Sequence, residues 1–240
     1  MLQLTLKRVV PTVAAIAVVA ATSSLGMWQL RRAEEREAMA ALEEASATKA
    51  PIVLGGEKLQ GSELLSLHPL VARGEWRADK MVFLDNQIHK GRVGFHVVMP
   101  LRINGSDMHL LVDRGWTAST GNRSQLPEVA TPRGTVEVNG IARQAGLRFK
   151  ELDANFHEGL IWENVTVDRF VAWSGLRLQP VILQQTDVVA DGLIRDWPKA
   201  GSGSEKNRGY ALQWFAMAAL TIGLWGYHFF RGKRSDEHSD

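Results

Sequence analysis

The sequence predicts a membrane protein in which two transmembrane helices flank an α+β domain, β-rich and built as an antiparallel sheet or small barrel, on the outer face. Three observations lead to this prediction. An uncharged apolar run lies near each end of the 240-residue chain. Short runs of β-forming residues, separated by turn sequences, occupy the middle. The chain has no cysteine, so we expect this domain to rely on its own hydrophobic core without disulfides.

The first apolar run extends from Val9 to Leu30 without a charged residue. A helix of this length reaches roughly 33 Å, enough to cross a hydrocarbon core of about 30 Å. A cleaved signal peptide is the alternative, because Lys7 and Arg8 precede the run and small residues occur within it. The run continues beyond those small residues and ends near Trp28, an interfacial anchor, which favours a retained span.

The second apolar run, from Tyr210 to Phe230, contains no Lys, Arg, Asp or Glu, and basic residues follow it at once. The positive-inside tendency places both basic flanks, and therefore both termini, in the cytoplasm. The expected divisions of the chain are a cytoplasmic start (1–8), a span (9–30), an outer, periplasmic domain (31–208), a second span (209–230) and a cytoplasmic tail (231–240). Only eight residues precede the first span, so we expect no mitochondrial transit peptide, and a bacterial inner (plasma) membrane as the location.

Residues 31–45 are rich in helix formers with charges of both signs, so we expect them to continue the first helix as a solvated stalk. The strands of the outer domain are predicted at 71–77, 81–88, 94–103, 109–117, 134–144 and 180–185. Their spacing indicates an antiparallel sheet or small barrel whose strand order is open. A flexible linker is expected at 199–207.

A short helix is predicted at 166–176, between the last two strands. Thr166 is expected to cap it, because a threonine hydroxyl can accept a hydrogen bond from the first turn. The apolar side chains expected to face inward are Phe170, Val171 and Trp173.

Composition and motifs give no sign of catalysis, so we expect no enzyme. A net charge of +2, without a basic helix, argues against nucleic acid as a partner. His157 and Glu158 begin like a zinc-protease motif, but Ile161 occupies the place of the second histidine, so no metal site is expected. His96 and His109 lie in predicted strands and are expected to be packed or half-exposed structural residues.

Polar and aromatic residues gather where the two predicted spans meet the outer boundary of the membrane. They are Trp28, Gln29 and Arg32 at the end of the first span, and Tyr210, Gln213 and Trp214 at the start of the second. Residues three and four apart share a helix face, and the predicted topology puts both groups at one depth. Two interpretations stay open: an aromatic belt with snorkelling polar groups, or a shared site for an amphiphile with carboxylates, such as a haem.

Three motifs resemble the surfeit locus protein 1 family, which assists the assembly of haem–copper cytochrome c oxidase. The opening motif L-G-x-W-Q-x-x-R corresponds to residues 25–32, the central L-V-x-R-G-W to 111–116 and the closing Y-A-x-Q-W-F to 210–215. A G-F/Y-x-V-x-x-P-L stretch precedes the central motif at 94–101. The motifs occur in family order and with matching topology over nearly the whole chain.

The resemblance implies an outer-facing α+β domain between two spans and a role in placing haem a into the largest oxidase subunit. That subunit, haem a synthase and the lipid bilayer are the partners it implies. Family members carry a histidine, proposed to ligate haem iron, three residues before the closing tyrosine. Asn207 stands there in this chain, and an amide is a poor iron ligand. His228 lies too near the cytoplasmic end to replace it at the outer boundary.

Two further points follow from the comparison of motifs. The family's R-G-W-V-P continues here as Thr117 and Ala118, a change expected to affect a turn only. For Arg114 to Trp116 we favour a folding role, with Gly115 in a β-bulge and Trp116 in the core. The loss of the histidine at 207 keeps a second hypothesis open: a membrane-anchored scaffold that stabilises an oxidase assembly intermediate without binding haem.

Overall fold

The computed structural model describes residues 2–60, 66–121, 125–143, 146–147, 157–198 and 201–236. The chain divides into two compact units. The helical unit combines Met1–Leu42 with Pro198–Asp240, and the β-rich unit is Glu43–Trp197.

The helical unit is built from two long helices, α1 (Leu2–Ala47) and α3 (Ser204–Asp236). Helix α1 is continuous, which confirms that residues 31–45 extend the first helix. Within the described residues, one helix, the part of α1 from Val9 to Ala47, has the length and mean hydropathy (1.9) of a membrane span. Helix α3 covers the second predicted span, but it does not reach the mean hydropathy of a membrane span.

The predicted linker at 199–207 is wrong in its second half. Helix α3 begins at Ser204, because Ser204 and Asn207 already donate backbone hydrogen bonds to the carbonyls of Gly201 and Gly203. An acidic residue in the first turn, Glu205, adds a favourable interaction with the helix dipole. Residues 199–200 lie outside the described part of the chain.

The β-rich unit contains eleven described strands, a 3₁₀ turn at Ala78–Lys80 and helix α2 (Val167–Ser174). The strands are β1 (Ile52–Leu54), β2 (Pro69–Trp76), β3 (Val82–His89), β4 (Arg92–Ile103), β5 (Met108–Ala118), β6 (Thr135–Arg143), β7 (Gly146–Leu147), β8 (His157–Glu158), β9 (Ile161–Trp162), β10 (Val165–Thr166) and β11 (Arg177–Gln185). All six predicted strands are confirmed, except that residue 144 lies outside the described residues. The Lys90–Gly91 turn between β3 and β4 has positive φ at both positions, as a two-residue hairpin requires.

Nine strands form one sheet that closes on itself. The order is β1-β2-β6-β11-β5-β4-β3-β9-β8, and β2 also pairs with β4. Strands β2, β6, β11, β5 and β4 therefore form a five-stranded closed ring, which agrees with the predicted small barrel. The prediction of a purely antiparallel sheet is wrong at three pairings, since β1–β2, β5–β11 and β3–β9 are parallel. The β5–β11 pairing requires a crossover connection, and helix α2 lies in that connection.

Alternating side chains divide the core into two layers. Leu110 and Val112 of β5 face the barrel interior, while Leu111 between them packs beneath helix α2. Strand β11 repeats this pattern, with Ile182 on the α2 side. This period of two follows from the pleat of a strand, which sends successive side chains to opposite faces.

Helix α2 covers the second core layer. The hydroxyl of Thr166 accepts a hydrogen bond from the backbone N–H of Arg169 (3.2 Å), which confirms the predicted cap. The helix ends at Ser174, two residues before the predicted boundary, because Gly175, at φ 71°, is left-handed and cannot continue it. Phe170 is fully buried and contacts Trp173, but Val171 is 38% exposed, so its predicted inward orientation is wrong. Val171 lies about 100° around the helix from Phe170, at the edge of the buried face.

Truncating Phe170→Ala is expected to reduce the free energy of unfolding by about 3–5 kcal/mol, because it leaves a cavity between helix α2 and the sheet. Val171→Ala, on the same turn but partly exposed, is the matched control and should cost less than about 1 kcal/mol. Denaturant titration of the purified full chain, followed by tryptophan fluorescence, measures both. Equal losses would show that α2 is not anchored through Phe170.

Candidate functional site

The two helices of the helical unit pack side by side along a seam of small residues. Buried positions on α1 include Gly26 and Ala33, and those on α3 include Ala211 and Ala218. A Cβ at Gly26 would meet the ring of Phe215 at 2.7 Å, so any larger residue would force that ring to move. Small residues at such a seam let helix backbones come close, which is how helices associate in lipid.

Outside the apolar part of the two helices, polar contacts fix how α1 is aligned along α3. Arg208 donates two hydrogen bonds to the carboxylate of Glu37, at 2.9 and 2.7 Å, and Arg36 donates to the carbonyl of Ser202 at 2.6 Å. The hydrogen bond from Arg208 holds the pKa of Glu37 below its ordinary value. Together with the Gly26–Phe215 contact, these bonds define two antiparallel helices in which residues 28–32 lie level with residues 208–214.

The six residues of the predicted site are therefore at one level, but they do not all meet. Gln29 and Trp214 are half-buried, and each lies three residues after a seam residue, at the edge of the seam. Trp28 and Gln213 are exposed and lie two residues after a seam residue, about 200° around the helix and so on the far faces. The structure brings Gln29 and Trp214 to the seam and leaves these two outside it.

The other two residues of the predicted set are exposed as well. Arg32 donates to the carboxylate of Glu35 at 3.1 Å, within its own helix, and Tyr210 is 53% exposed. Asn207, the position where the resemblance leads us to expect a histidine, is half-buried and lies one turn before Ala211, in line with the seam. The amide at 207 thus stands where a ligand from α3 would face α1.

A buried charge cluster, which the sequence did not reveal, lies in the β-rich unit. Asp191 accepts hydrogen bonds from Arg114 (3.0 Å) and Arg195 (2.6 Å), and the side chains of Arg114 and Asp191 are 1% and 3% exposed. Arg114 also donates to the carbonyl of Ala130 and lies over the ring of Trp76. Each buried charge of the cluster has a partner of opposite sign, so removing one partner would leave an uncompensated buried charge.

The pKa values within this cluster follow from burial and charge. Burial alone would raise the pKa of Asp191. The hydrogen bonds and positive charge of Arg195, together with the positive charge of Arg114, lower that pKa below its ordinary value. Burial lowers the pKa of Arg114, and Asp191 offsets part of that change. The Asp191 carboxylate therefore stays ionised. Its contribution to the free energy of unfolding is fully present above a pH of about 3.9, the pKa of an aspartate in an unfolded chain.

The Arg-Gly-Trp motif has the folding role that we favoured. Val97 pairs with Gly115 and Val98 with Asp113, so Arg114 is the extra residue of a β-bulge. Gly115 has φ 133°, and a Cβ there would meet the carbonyl oxygen of Ile194 at 2.8 Å. Trp116, 4% exposed, exchanges two backbone hydrogen bonds with Ile194. The motif thus attaches the segment 191–197, which leads into α3 along the chain, to the barrel.

The two strand histidines differ in their surroundings. His109 is 4% exposed, and burial lowers its pKa, as expected for a packed neutral residue. The Nδ1 of His96 lies 2.8 Å from the carboxylate of Asp113, whose other oxygen accepts from the N–H of Gly115. His96 and Asp113 lie on neighbouring strands, so only the register of β4 on β5 could have revealed this pair.

Comparisons with known proteins agree with the motifs. The model of the SURF1 family matches residues 16–219. A SURF1-like protein of Monosiga brevicollis is 22% identical over 227 residues, covering 88% of this chain and 85% of that protein. A SURF1-like protein of Rickettsia felis is 26% identical over 210 residues, covering 83% and 88%.

A third match is shorter. A SURF1-like protein of Caenorhabditis briggsae is 23% identical over 140 residues, which cover 57% of this chain and 43% of that protein. The chain thus spans less than half the length of the nematode relative that it matches.

Replacing Asp191→Asn is expected to reduce the free energy of unfolding by about 3 kcal/mol or more, because it leaves two buried guanidinium groups without a counter-charge. Glu137→Gln, which removes the exposed ion pair with Arg73, is the matched control and should cost less than about 1 kcal/mol. Denaturant titration at neutral pH compares the two. Similar small losses for both variants would contradict a stabilising role of the buried cluster.

Proposed function

This chain belongs to the SURF1 family, and on that premise we propose that it assists the insertion or retention of haem a in the largest subunit of haem–copper cytochrome c oxidase. The observation that supports this most is the extent of the family match. Residues 16–219 include most of α1, the β-rich unit and the first half of α3. The proposed role is that of an assembly factor with the oxidase subunit, and haem a synthase, as partners, and not that of a turnover enzyme.

We place the transient haem contact at the level of residues 28–32 and 208–214, where all six residues of the predicted site lie. Gln29 and Trp214 stand at the seam edge, where an amide and an indole ring can hold the rim and face of a macrocycle. Arg32, one turn beyond Trp28, supplies a cation for a haem carboxylate after exchange from its exposed pair with Glu35. Trp28, Tyr210 and Gln213 complete the surrounding surface.

The topology that goes with this function is a proposal too. We propose that α1 and α3 both span a bacterial inner membrane, that both termini are cytoplasmic and that the β-rich unit is periplasmic. The antiparallel packing of α1 and α3 supports this arrangement, because two spans of opposite direction return the chain to its starting side. The apolar length of α1 supports its role as a span. The basic residues before the first apolar run and after the second support cytoplasmic termini.

A scaffold without haem is the second candidate. Asn207 favours it, because an asparagine stands in line with the helix seam where the family has its proposed iron ligand. Such a protein would bind the oxidase subunit and stabilise an assembly intermediate. The two candidates predict different optical spectra.

Full-length protein purified from cells that make haem a is expected to carry a Soret band. Gln29→Ala and Trp214→Ala should each reduce the haem retained per chain several-fold, because they remove the two side chains at the seam edge. Met217→Ala, exposed on α3 and outside the predicted set, is the control and should leave the band unchanged. The measurement is a visible spectrum normalised to protein.

A colourless protein that still co-purifies with the oxidase would favour the scaffold over the haem carrier. A deletion strain with unchanged oxidase activity and unchanged haem content of the oxidase would exclude both candidates.

The topology can be tested by labelling, because the chain has no cysteine of its own. Asp107→Cys, in the exposed turn between β4 and β5, is expected to react with a membrane-impermeant maleimide in intact spheroplasts. A cysteine added after Asp240 should react only after lysis. Labelling of the C-terminal cysteine alone in intact spheroplasts would contradict the proposed orientation.

A further inference from the structure

The turn between β3 and β4 presents two large apolar side chains to solvent. Ile88 and Val93 are 69% and 55% exposed, and they are directly opposite each other in the antiparallel pairing of the two strands. Among the described strands of the β-rich unit, no other pair of facing positions is occupied by two exposed large apolar residues. Single exposed apolar residues are ordinary, whereas a patch of adjacent ones indicates a contact surface.

The same turn is basic. Residues 86–95 include Lys90 and Arg92 and contain no acidic residue. The Nζ of Lys90 lies 3.3 Å from the carboxylate of Asp196, in an ion pair whose side chains are 77% and 60% exposed. An exposed pair of this kind contributes little to stability, so Lys90 can exchange Asp196 for another anion. The turn therefore offers two cations to an anionic partner beside its apolar pair.

The base of the turn is held in place by Trp116. Its indole N–H donates a hydrogen bond to the carbonyl of Gln87 at 2.9 Å, and its ring packs on Gly94, where a Cβ would meet it at 2.6 Å. The backbone N–H of Ser119 donates to the carbonyl of Val93 at 3.2 Å. Because these contacts fix the backbone, the turn is preformed, and a preformed surface loses little conformational entropy when it binds.

The turn contacts the segment that leads to the second predicted span along the chain. Asp196, the partner of Lys90, precedes Tyr210, the first residue of the second apolar run, by 14 residues. The loop after β11 begins at the same end of the barrel, because β11 runs parallel to β5 and β4 begins beside the end of β5. That loop presents Val188, which is fully exposed, and so adds to the apolar surface of this end.

We propose that the β3–β4 turn is a membrane-contact site whose occupant is the surface of an anionic phospholipid bilayer. Ile88 and Val93 enter the boundary between headgroups and acyl chains, where apolar side chains leave water. Lys90 and Arg92 bind lipid phosphates, since each cation near an anionic surface adds attraction. The inference rests on the topology proposed above, which puts the β-rich unit and this bilayer surface on one side, and it goes beyond the proposed haem role.

A bilayer fits the turn better than a protein partner does. A specific protein interface takes roughly 20–30 residues a side, with large anchors that fill pockets. The turn is instead a narrow tip with branched aliphatic side chains and long cationic ones. Such a tip matches a surface that is apolar inside and anionic outside, and that needs no complementary shape.

The test is quenching by lipid in nanodiscs, because a chain without cysteine accepts a single label. Full-length Val93→Cys carries a fluorophore, and the nanodiscs contain equal parts of phosphatidylcholine and phosphatidylglycerol, with some lipid bearing a nitroxide near its headgroup. The fluorescence is expected to fall at least about twofold, since the label lies at the lipid boundary. Val53→Cys, at an exposed valine of β1 toward the other end of the barrel, is the matched control and should keep its fluorescence.

The contribution of each group is measured on the same labelled protein. Lys90→Gln combined with Arg92→Gln should reduce the quenching several-fold, and high salt or phosphatidylcholine alone should do the same. Arg177→Gln, exposed at the start of β11, is the charge control and should leave the quenching unchanged. Ile88→Thr keeps a β-branched side chain in the strand, so reduced quenching there reports the lost apolar contact.

Three outcomes would overturn the inference. They are no quenching at position 93, equal quenching at positions 93 and 53, and quenching that is independent of salt and lipid charge. If purified oxidase shielded an unquenched label at position 93 from an aqueous quencher, the turn would be a protein contact instead. The haem role is read from the Soret band, so the failure of either proposal is recognised without the other.

Discussion

The buried carboxylate of Asp191 is the interaction on which the β-rich unit depends most. It pairs with both Arg114 and Arg195, two guanidinium groups that are almost entirely removed from water. An uncompensated charge in that position would cost several kcal/mol, so the segment that contains Asp191 has to stay on the barrel. The bulge at Arg114 and the close approach at Gly115 make this attachment sterically possible.

That attachment explains why the central motif has its residues in this order. Arginine supplies the buried charge, glycine admits the carbonyl of Ile194, and tryptophan pairs with the backbone of Ile194 while filling the core. His96 adds a further contact, since its ring lies against Trp197 at the end of the same segment. The motif is therefore explained by packing and charge compensation.

The helical unit follows a different physical rule. Its helices meet through glycine and alanine, whose small side chains let the two backbones come close. Among the aromatic side chains, Phe215 packs on Gly26 within the seam, whereas Trp28 is exposed outside it. Asn207 is in line with the seam, and no imidazole lies at that level of the helix pair among the described residues.

The sequence by itself determined the long elements of this protein and its family, but not the short strands β1 and β7 to β10. The uncharged apolar runs gave the positions of α1 and α3, and runs of β-forming residues between turn residues gave six strands. Thr166 gave the start of α2. Each of these signals is local in the sequence. Three ordered motifs were sufficient to indicate the SURF1 family. The inward orientation of Val171 and the linker up to Asn207 were wrong, because both depend on where a neighbouring element ends or packs.

Only the tertiary structure decided which residues meet. Closure of β2 on β4, the parallel pairing of β5 with β11 and the Asp191 cluster join positions far apart in the chain, and no local signal encodes a register. The same holds for the predicted site, since the sequence placed six residues at one level but could not give the rotation of each helix about its axis. That rotation is set by the small residues of the seam, which put Gln29 and Trp214 at its edge and turn Trp28 and Gln213 away.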